Sequence, residues 1–444
     1  MIFIHLAILL ACIIIGARLG GIALGTVSGI GLAIFVFGFG MPPGNPPATV
    51  LGMILAVITA LSMMEAAGGL DYLVEIAEGV LRRNPARITF LAPFVTYILI
   101  FAAGTQHVIY ALLPVISEVA RKAGVRPERP LSMSVIAAQH GLIASPVSAV
   151  TVALVAALSG LEAGLPAILM IIIPATLVGV FAGTLSVAWK GKELDQDPEY
   201  QRRLAEGLLQ PPESKPPLAG EARRKAMGSC VVFLSAVGLV VLVGLLPNLR
   251  PLYTTGVGST TATGRIEMGA AIMIIMLAAA GLMTLLFKAR PADAVKGSLM
   301  RGGLVAIISI LGVSWMGSSF FAAHQETIVG SISSAIDAYP WVFAFGLFSL
   351  CILLYSQAAT IVILAPVGVA LGLPASLLIG VYPAVNGNFF LPTYGTVLAA
   401  VSFDQTRTTR IGKYLFNHSF MIPGLVTTVT ATLVALLLGS ILLR

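Results

Sequence analysis

FAAGTQHVIYALLPVI (Phe101–Ile116) and LLYSQAATIVILAPVGV (Leu353–Val369) repeat one pattern, about 250 residues apart. In each, small and polar residues interrupt an apolar run, which then resumes up to a proline. Thr105 precedes Pro114 by nine positions and Gln357 precedes Pro366 by nine. A second polar break follows each, in QHGLIASPVSAVTVAL (Gln139–Leu154) and in VNGNFFLPTYGTVLAAV (Val385–Val401). Paired, interrupted apolar segments in corresponding halves are the strongest sequence pointer to the binding site of a secondary transporter.

The chain is 57% hydrophobic and 10% charged, with a mean hydropathy of +0.97. Soluble domains carry about 25% charged residues, so this is a polytopic membrane protein. A pI near 9.4 would suit a nucleic-acid partner, but the basic residues sit in loops between apolar spans, so no nucleic acid is expected. Cys12, Cys230 and Cys351 lie in apolar runs and read as buried small residues. The first apolar segment lacks a basic start and a small-residue cleavage site, and reads as a retained first span.

A span needs roughly 20 apolar residues. Full spans are predicted near 2–17, 20–39, 48–66, 131–160, 164–189, 228–247, 267–287, 303–322, 377–403 and 421–443. The stretches 88–121 and 340–371 are pairs of shorter arms around a polar tip, and read as re-entrant hairpins. The fold class is thus an all-α polytopic membrane protein with two inverted repeats. Each repeat has one hairpin and one broken helix (131–160 and 377–403). Domains follow as N-terminal scaffold helices (1–87), a first transport repeat (88–189), a cytoplasmic linker (190–227), a second scaffold segment (228–339), and a second transport repeat with the last helix (340–444). Segments 67–84 and 323–338 are mixed in polarity and are predicted as interfacial helices. The linker, with charge clusters and five prolines, reads as a solvated connector with one short helix near 198–209.

With the first hairpin entering from the cytoplasm and the second from outside, all 26 basic residues except Arg250, Arg265 and Arg444 fall on cytoplasmic ends. The positive-inside rule asks for this bias. It places both termini outside, in the periplasm if the membrane is the bacterial inner membrane.

Irregular backbone at membrane depth survives only where protein buries it or a wet cavity needs it. The tips at Gly104-Thr105-Gln106 and Ser356-Gln357-Ala358 need such a reason, as do the breaks at Ala144-Ser145-Pro146 and Leu391-Pro392-Thr393. A helix is predicted to begin at each, with Ser145 as N-cap and Pro146 as first helical residue. Each helix start offers free N–H groups and about half a positive charge. Four converging starts would offer roughly +2, the complement of a dicarboxylate. No Lys or Arg occurs between Leu131 and Trp189 or between Pro340 and Phe403. Candidate binding residues are therefore Gly104, Thr105, Gln106, Ala144, Ser145, Pro146, Ser356, Gln357, Thr360, Asn386, Asn388, Pro392 and Thr393. The asparagines can donate to carboxylate oxygens, although an interhelical hydrogen bond is their plain alternative.

The ionisable candidates for gating or coupling are His107, His140, Glu78, Arg82, Arg83 and Arg126. Glu78 and Arg82, four residues apart, are the spacing of a helix-surface ion pair; the arginines could instead draw an anion to the cytoplasmic mouth. Intramembrane histidines suggest proton transfer, against the plainer role of a neutral hydrogen-bonded side chain. Asp404 reads as a local partner of Arg407. Gly21, Gly25 and Gly29 form a small-residue ridge for helix packing.

GARLGGIALG (Gly16–Gly25), AAGGLDYLVE (Ala66–Glu75), LRRNP (Leu81–Pro85) and LLPVISEVA (Leu112–Ala120) resemble the anaerobic four-carbon-dicarboxylate transporters of bacterial inner membranes, the Dcu type. So do LYSQAAT (Leu354–Thr360), FLPTYGT (Phe390–Thr396) and TTRIGKYLFNHSFMIPG (Thr408–Gly424). The resemblance implies exchange of fumarate, malate or aspartate for succinate. It also implies membership of the ion-transporter superfamily, with an elevator-type mobile domain carried past a scaffold that forms a homodimer. Some family members contact a sensor kinase. The superfamily's tips usually carry Ser-Asn-Thr. This chain departs from that at both tips, so exchange is expected not to need sodium. No cofactor or metal is expected. The rival readings are a proton- or sodium-coupled organic-anion symporter, and an intramembrane enzyme. The enzyme lacks support: there is no His-x-x-Glu-His or Gly-x-Ser-x-Gly element in the membrane segments.

Overall fold

The computed structural model describes residues 1–19, 22–46, 48–161, 163–209, 218–255, 262–338, 341–354, 356–392, 394–412 and 417–443. Thr393 and Gly21 lie outside the described residues, as does the side chain of His107. The chain is almost wholly helical. The first three helices, α1 (Ile2–Leu19), α2 (Ala23–Ala33) and α3 (Ala48–Ala66), lead into α4 (Gly69–Arg83). α5 (Ile88–Ala103) and α6 (Ile109–Lys122) form the first helical pair, followed by α7 (Glu128–Ala144), α8 (Ala149–Ala157) and α9 (Leu165–Val187). A short α10 (Pro198–Ala205) lies in the linker. Then come α11 (Gly220–Leu245), α12 (Met268–Phe287), α13 (Pro291–Lys296) and α14 (Ser298–Ala338). The second pair is α15 (Trp341–Leu354) and α16 (Gln357–Ala370), followed by α17 (Ala375–Gly380), α18 (Gly395–Phe403) and α19 (Met421–Leu442).

Among the described residues, seven helical segments are long and apolar enough to cross a bilayer. Their outer faces carry exposed apolar side chains, such as Ile274, Leu277, Leu282 and Leu285 on α12 and Val429, Leu433, Leu437 and Ile441 on α19. Such faces are stable against lipid and would not be against water. Counted with its preceding 3-10 turn, the first arm of the first pair runs Pro85–Ala103 and is itself one of the seven.

α3 and α4 meet at a 73° bend. Gly68 makes that bend with φ of +82°, a conformation that costs other residues about 1–2 kcal/mol. α4 is amphipathic: it buries Leu73, Ala77 and Leu81 and turns Arg82 and Arg83 outward. The predicted interfacial helix at 323–338 is not a separate element. It continues α14 without a break, in one helix of 41 residues, about 60 Å long. No proline or glycine pair divides the run near 323, so nothing ends the helix there.

The structure also departs from an all-α reading at one loop. Leu252–Thr255 pairs antiparallel with Ala262–Arg265, with Tyr253 opposite Gly264. Alternating side chains in LYTT and ATGR suit a hairpin, but the run is too short to stand out beside the apolar spans. In the glycine ridge, Gly25 packs directly on the backbone of Ile308 in α14, whereas nothing stands near Gly29.

Candidate functional site

Each helical pair breaks as its residues require. α5 ends at Gly104, whose φ of +66° is left-handed and whose N–H bonds the Ile100 carbonyl at 2.8 Å. Thr105 and a 3-10 turn at Gln106–Val108 then lead into α6. At the second tip Ser356 is extended, and its Oγ accepts from the Ala359 N–H at 3.2 Å, capping α16. Thr360 sits one turn into α16 and donates its hydroxyl to the Ser356 carbonyl at 2.8 Å.

The first break differs from the predicted one. Ser145 ends α7 instead of starting α8, in an extended conformation. The residue before a proline is pushed out of the helical region, and Pro146 does this to Ser145. The cap of α8 is Ser148, whose Oγ accepts from Thr151 N at 3.2 Å. The second break is longer. After α17, a 3-10 turn at Tyr382–Val385 gives way to irregular backbone over 386–392, and α18 starts at Gly395.

The starts of four helices meet around one cavity of about 200 Å³. Gly104, Thr105 and Gln106 line it ahead of α6, and Ser356, Gln357 and Ala358 line it at α16. Val147 and Ala149 contribute from the start of α8, and Asn388, Tyr394 and Thr396 from around the start of α18. The facing wall comes from α3 (Ile54, Val57, Ile58, Leu61) and from Leu299, Gly302 and Gly303 of α14. This volume lies below the ~300 Å³ at which drug-sized pockets begin, so a small solute suits it. Among the described residues, no Lys, Arg, His, Asp or Glu lines the cavity. Its electrostatics come from helix starts, amides and hydroxyls.

Two buried donors in this lining have no partner among the described residues: Gln106 Nε2 and Thr396 Oγ1. The Gln106 Oε1 accepts from the Tyr394 hydroxyl at 2.9 Å, which ties the first tip to the second break. Gln357 Nε2 donates to the Gln139 carbonyl at 3.3 Å and to Asn386 Oδ1. These bonds join the second tip to α7 and to the second break. Asn388 Oδ1 accepts from Cys351 Sγ at 3.0 Å.

Asn386, Ala144, Ser145, Pro146, Thr360 and Pro392 are buried close to the breaks and do not line the cavity. Tyr394, Thr396 and Gln139 also belong to the site's construction and are not among the sequence candidates. A tyrosine or threonine in an apolar run carries no periodic signal, and Gln139 acts through its backbone carbonyl.

The ionisable candidates whose side chains are described sit elsewhere. His140 is fully buried and bonds the Ile136 carbonyl through Nδ1 at 3.0 Å. Glu78 is half-buried and Arg83 exposed. Arg82 pairs across to Glu118 on α6 at 3.0 Å, not to Glu78, and Lys122 shares that carboxylate. Asp404 accepts from Thr406, Thr408 and the Thr409 N–H and makes no pair with Arg407.

Arg126 is only 6% exposed. It bonds Glu128 and Asp197, each at 2.8 Å. Lys190 and Ser419 also reach Glu128, and Arg129 pairs with Glu193 at 3.0 Å. The start of the linker is therefore bound into a buried ion cluster and is not a solvated connector. Burial works against the Arg126 charge, but Glu128 and then Asp197 outweigh it and hold the guanidinium above its ordinary range. Burial likewise pushes the Asp197 carboxyl up. Hydrogen bonds from the Tyr200 N–H and Arg126 outweigh that, and the net position is below the usual range.

A depressed carboxylate stabilises the fold above its unfolded pKa, about 3.9 for Asp, and that contribution is lost as pH falls through the folded value. Asp197→Asn is expected to destabilise the protein by about 1–3 kcal/mol at neutral pH, because Arg126 loses a partner. The variant should also show a shallower loss of stability below about pH 4. Thermal melts of the detergent-solubilised protein across pH check both effects.

The model of the family described as anaerobic C4-dicarboxylate membrane transporter matches residues 1–443. The chain is 40% identical over 446 residues to the C4-dicarboxylate transporter DcuA of Escherichia coli K12, covering 100% of both. It is 38% identical over 450 residues to DcuA of Wolinella succinogenes, again covering 100% of both. Identity to the anaerobic C4-dicarboxylate transporter DcuB of Escherichia coli O6:H1 is 39% over 436 residues, 95% of each. Among solved structures, MtrF of Neisseria gonorrhoeae, described as illuminating a class of antimetabolite efflux pumps, shares the fold. Its TM-score is 0.54 at 14% identity, over 89% of this chain and 81% of that one. A match of the family model along nearly the whole length, on a chain with this many apolar helices, makes the protein a multi-pass membrane transporter and not an enzyme, a member of the anaerobic C4-dicarboxylate transporter family.

Proposed function

We propose that this protein exchanges four-carbon dicarboxylates, among them fumarate, malate, aspartate and succinate, across the bacterial inner membrane during anaerobic growth. The observation that carries this reading is the cavity lined by the starts of four helices, with no cation among its described lining residues. Four helix N-termini supply roughly +2, the charge of a dicarboxylate with its sign reversed. The unpartnered donors of Gln106 and Thr396 add hydrogen bonds to carboxylate oxygens. Each is worth about 1.5–3 kcal/mol when one side is charged.

In this reading the two helical pairs are re-entrant hairpins, and residues 88–189 and 340–444 are inverted repeats that move together as an elevator. Residues 1–87 and 228–339 form the scaffold, through which the protein dimerises. Both termini face the periplasm. The wall from α3 and α14 is then the fixed surface past which the tips travel. A site built from neutral groups reloads best by swapping one dianion for another, since an empty ring of helix starts would leave its dipoles uncompensated in a low dielectric.

Counterflow in proteoliposomes tests this. Preloaded succinate should accelerate entry of labelled fumarate several-fold. Uptake that needs an imposed proton or sodium gradient and shows no acceleration by internal succinate would refute exchange.

A further inference from the structure

A second and larger cavity, of about 720 Å³, continues along α3, α8, α14 and α16, four of the helices that line the first. On α3 the first cavity is lined from Ile54 onward and the second by Thr49 and Met53. On α8 the boundary falls between Val152 and Ala153, and on α16 between Ala358 and Val362. The two spaces therefore stand in series along one seam, separated on α16 by a single helical turn.

Arg250 is the one Lys or Arg among the described residues lining this larger cavity, and Glu267 the one carboxylate. Arg250 Nη1 donates to the Ile266 carbonyl at 3.3 Å, and its Nε is buried with no partner among the described residues. No carboxylate among the described residues lies within ion-pair distance of it, Glu267 included. Asn45, Thr49, Ser314 and Ser318 add neutral polar groups to the lining. A cation held in a cavity wall without an ion-pair partner among the described residues attracts anions, and low-dielectric walls focus its field.

We propose that this cavity is a second, weaker station for carboxylate anions, in which Arg250 holds one carboxylate of a substrate entering or leaving through this end of the seam. The proposal rests on the transport reading above. Glu267 opposes the anion from the same wall. The station therefore captures without trapping, as a site on a conduction path must. Two residues with opposite effects on one ligand give a test that a structural role cannot imitate.

The experiment measures initial uptake of labelled succinate by protein inserted in a known orientation, from each face in turn. Arg250→Gln should raise KM about fivefold from the face that carries Arg250, with kcat and the opposite face unchanged, and high salt should shrink the difference. Arg250→Lys should recover most of the loss. Glu267→Gln should lower KM from that same face about twofold. The proposal falls if Arg250→Gln leaves that KM unchanged or shifts both faces alike. It falls equally if Glu267→Gln raises KM as Arg250→Gln does. Counterflow by the parent protein tests the transport reading separately: without trans-acceleration in the parent, that reading fails and takes this one with it.

Discussion

Gln106→Glu is expected to abolish dicarboxylate exchange while leaving the protein folded. The substitution keeps shape and keeps an oxygen to accept from the Tyr394 hydroxyl, now at 2.9 Å. It replaces the unpartnered Nε2 donor with a second acceptor and adds a negative charge to a cavity whose described lining holds no cation. Two like charges about 4 Å apart at an effective dielectric near 20 repel by about 4 kcal/mol. That corresponds to roughly a thousandfold loss of affinity. The measurement pairs counterflow of labelled succinate with a thermal melt of the purified variant. An unchanged melt with lost exchange is the expected pair of results. Exchange at the parental rate would mean that the substrate does not occupy this cavity.

Gly104→Val should have the largest effect on stability. At φ of +66° any β-carbon is strained, and one placed there would stand 2.9 Å from Val147 Cγ2 and 3.4 Å from the Val147 carbonyl. The left-handed conformation costs about 1–2 kcal/mol and overpacking typically about 1–3 more. Their sum is a sizeable share of the ~5–15 kcal/mol that holds a domain folded. Gly104→Ala should show the first part with less of the second. Because Gly104 and Val147 both line the cavity, relief of the clash would push the first tip away from the first break, so transport should fall with stability. Melting at the parental temperature by Gly104→Val would show that the tip does not pack this way.

Much of this architecture is legible in the chain, because backbone chemistry leaves marks at each interruption. Gly104 marks the left-handed stop of α5, and Ser356 has the residue type of an N-cap and acts as one. The sequence places the start of α8 three residues early, because Ser145-Pro146 and Ser148 compete as caps. Only the three-dimensional path shows Pro146 forcing Ser145 extended while Ser148 closes the helix start. The second break could be located but not measured. Asn, Gly and Pro signal loss of helix, and nothing in their order says how much irregular backbone follows.

Charged residues were the least legible. Arg126 and Arg82 stand in loops or on an amphipathic helix and look available to an anion. Their partners, Asp197 and Glu118, are 71 and 36 residues away, and such pairings are invisible without coordinates. Thr396 is as hidden, since an unpartnered hydroxyl is known only from its surroundings. In the sequence Arg250 stands out only as one of three basic residues outside the cytoplasmic set.

The most direct measurement is the structure of the protein with bromosuccinate bound, read from the anomalous signal of bromine. The bromine is expected in the cavity between Gln106 and Gln357, with carboxylate oxygens facing the starts of α6, α8, α16 and α18 and no lysine or arginine within ion-pair reach. Bromine bound instead beside Arg82 or Arg126, with the cavity between the tips holding only water, would contradict it.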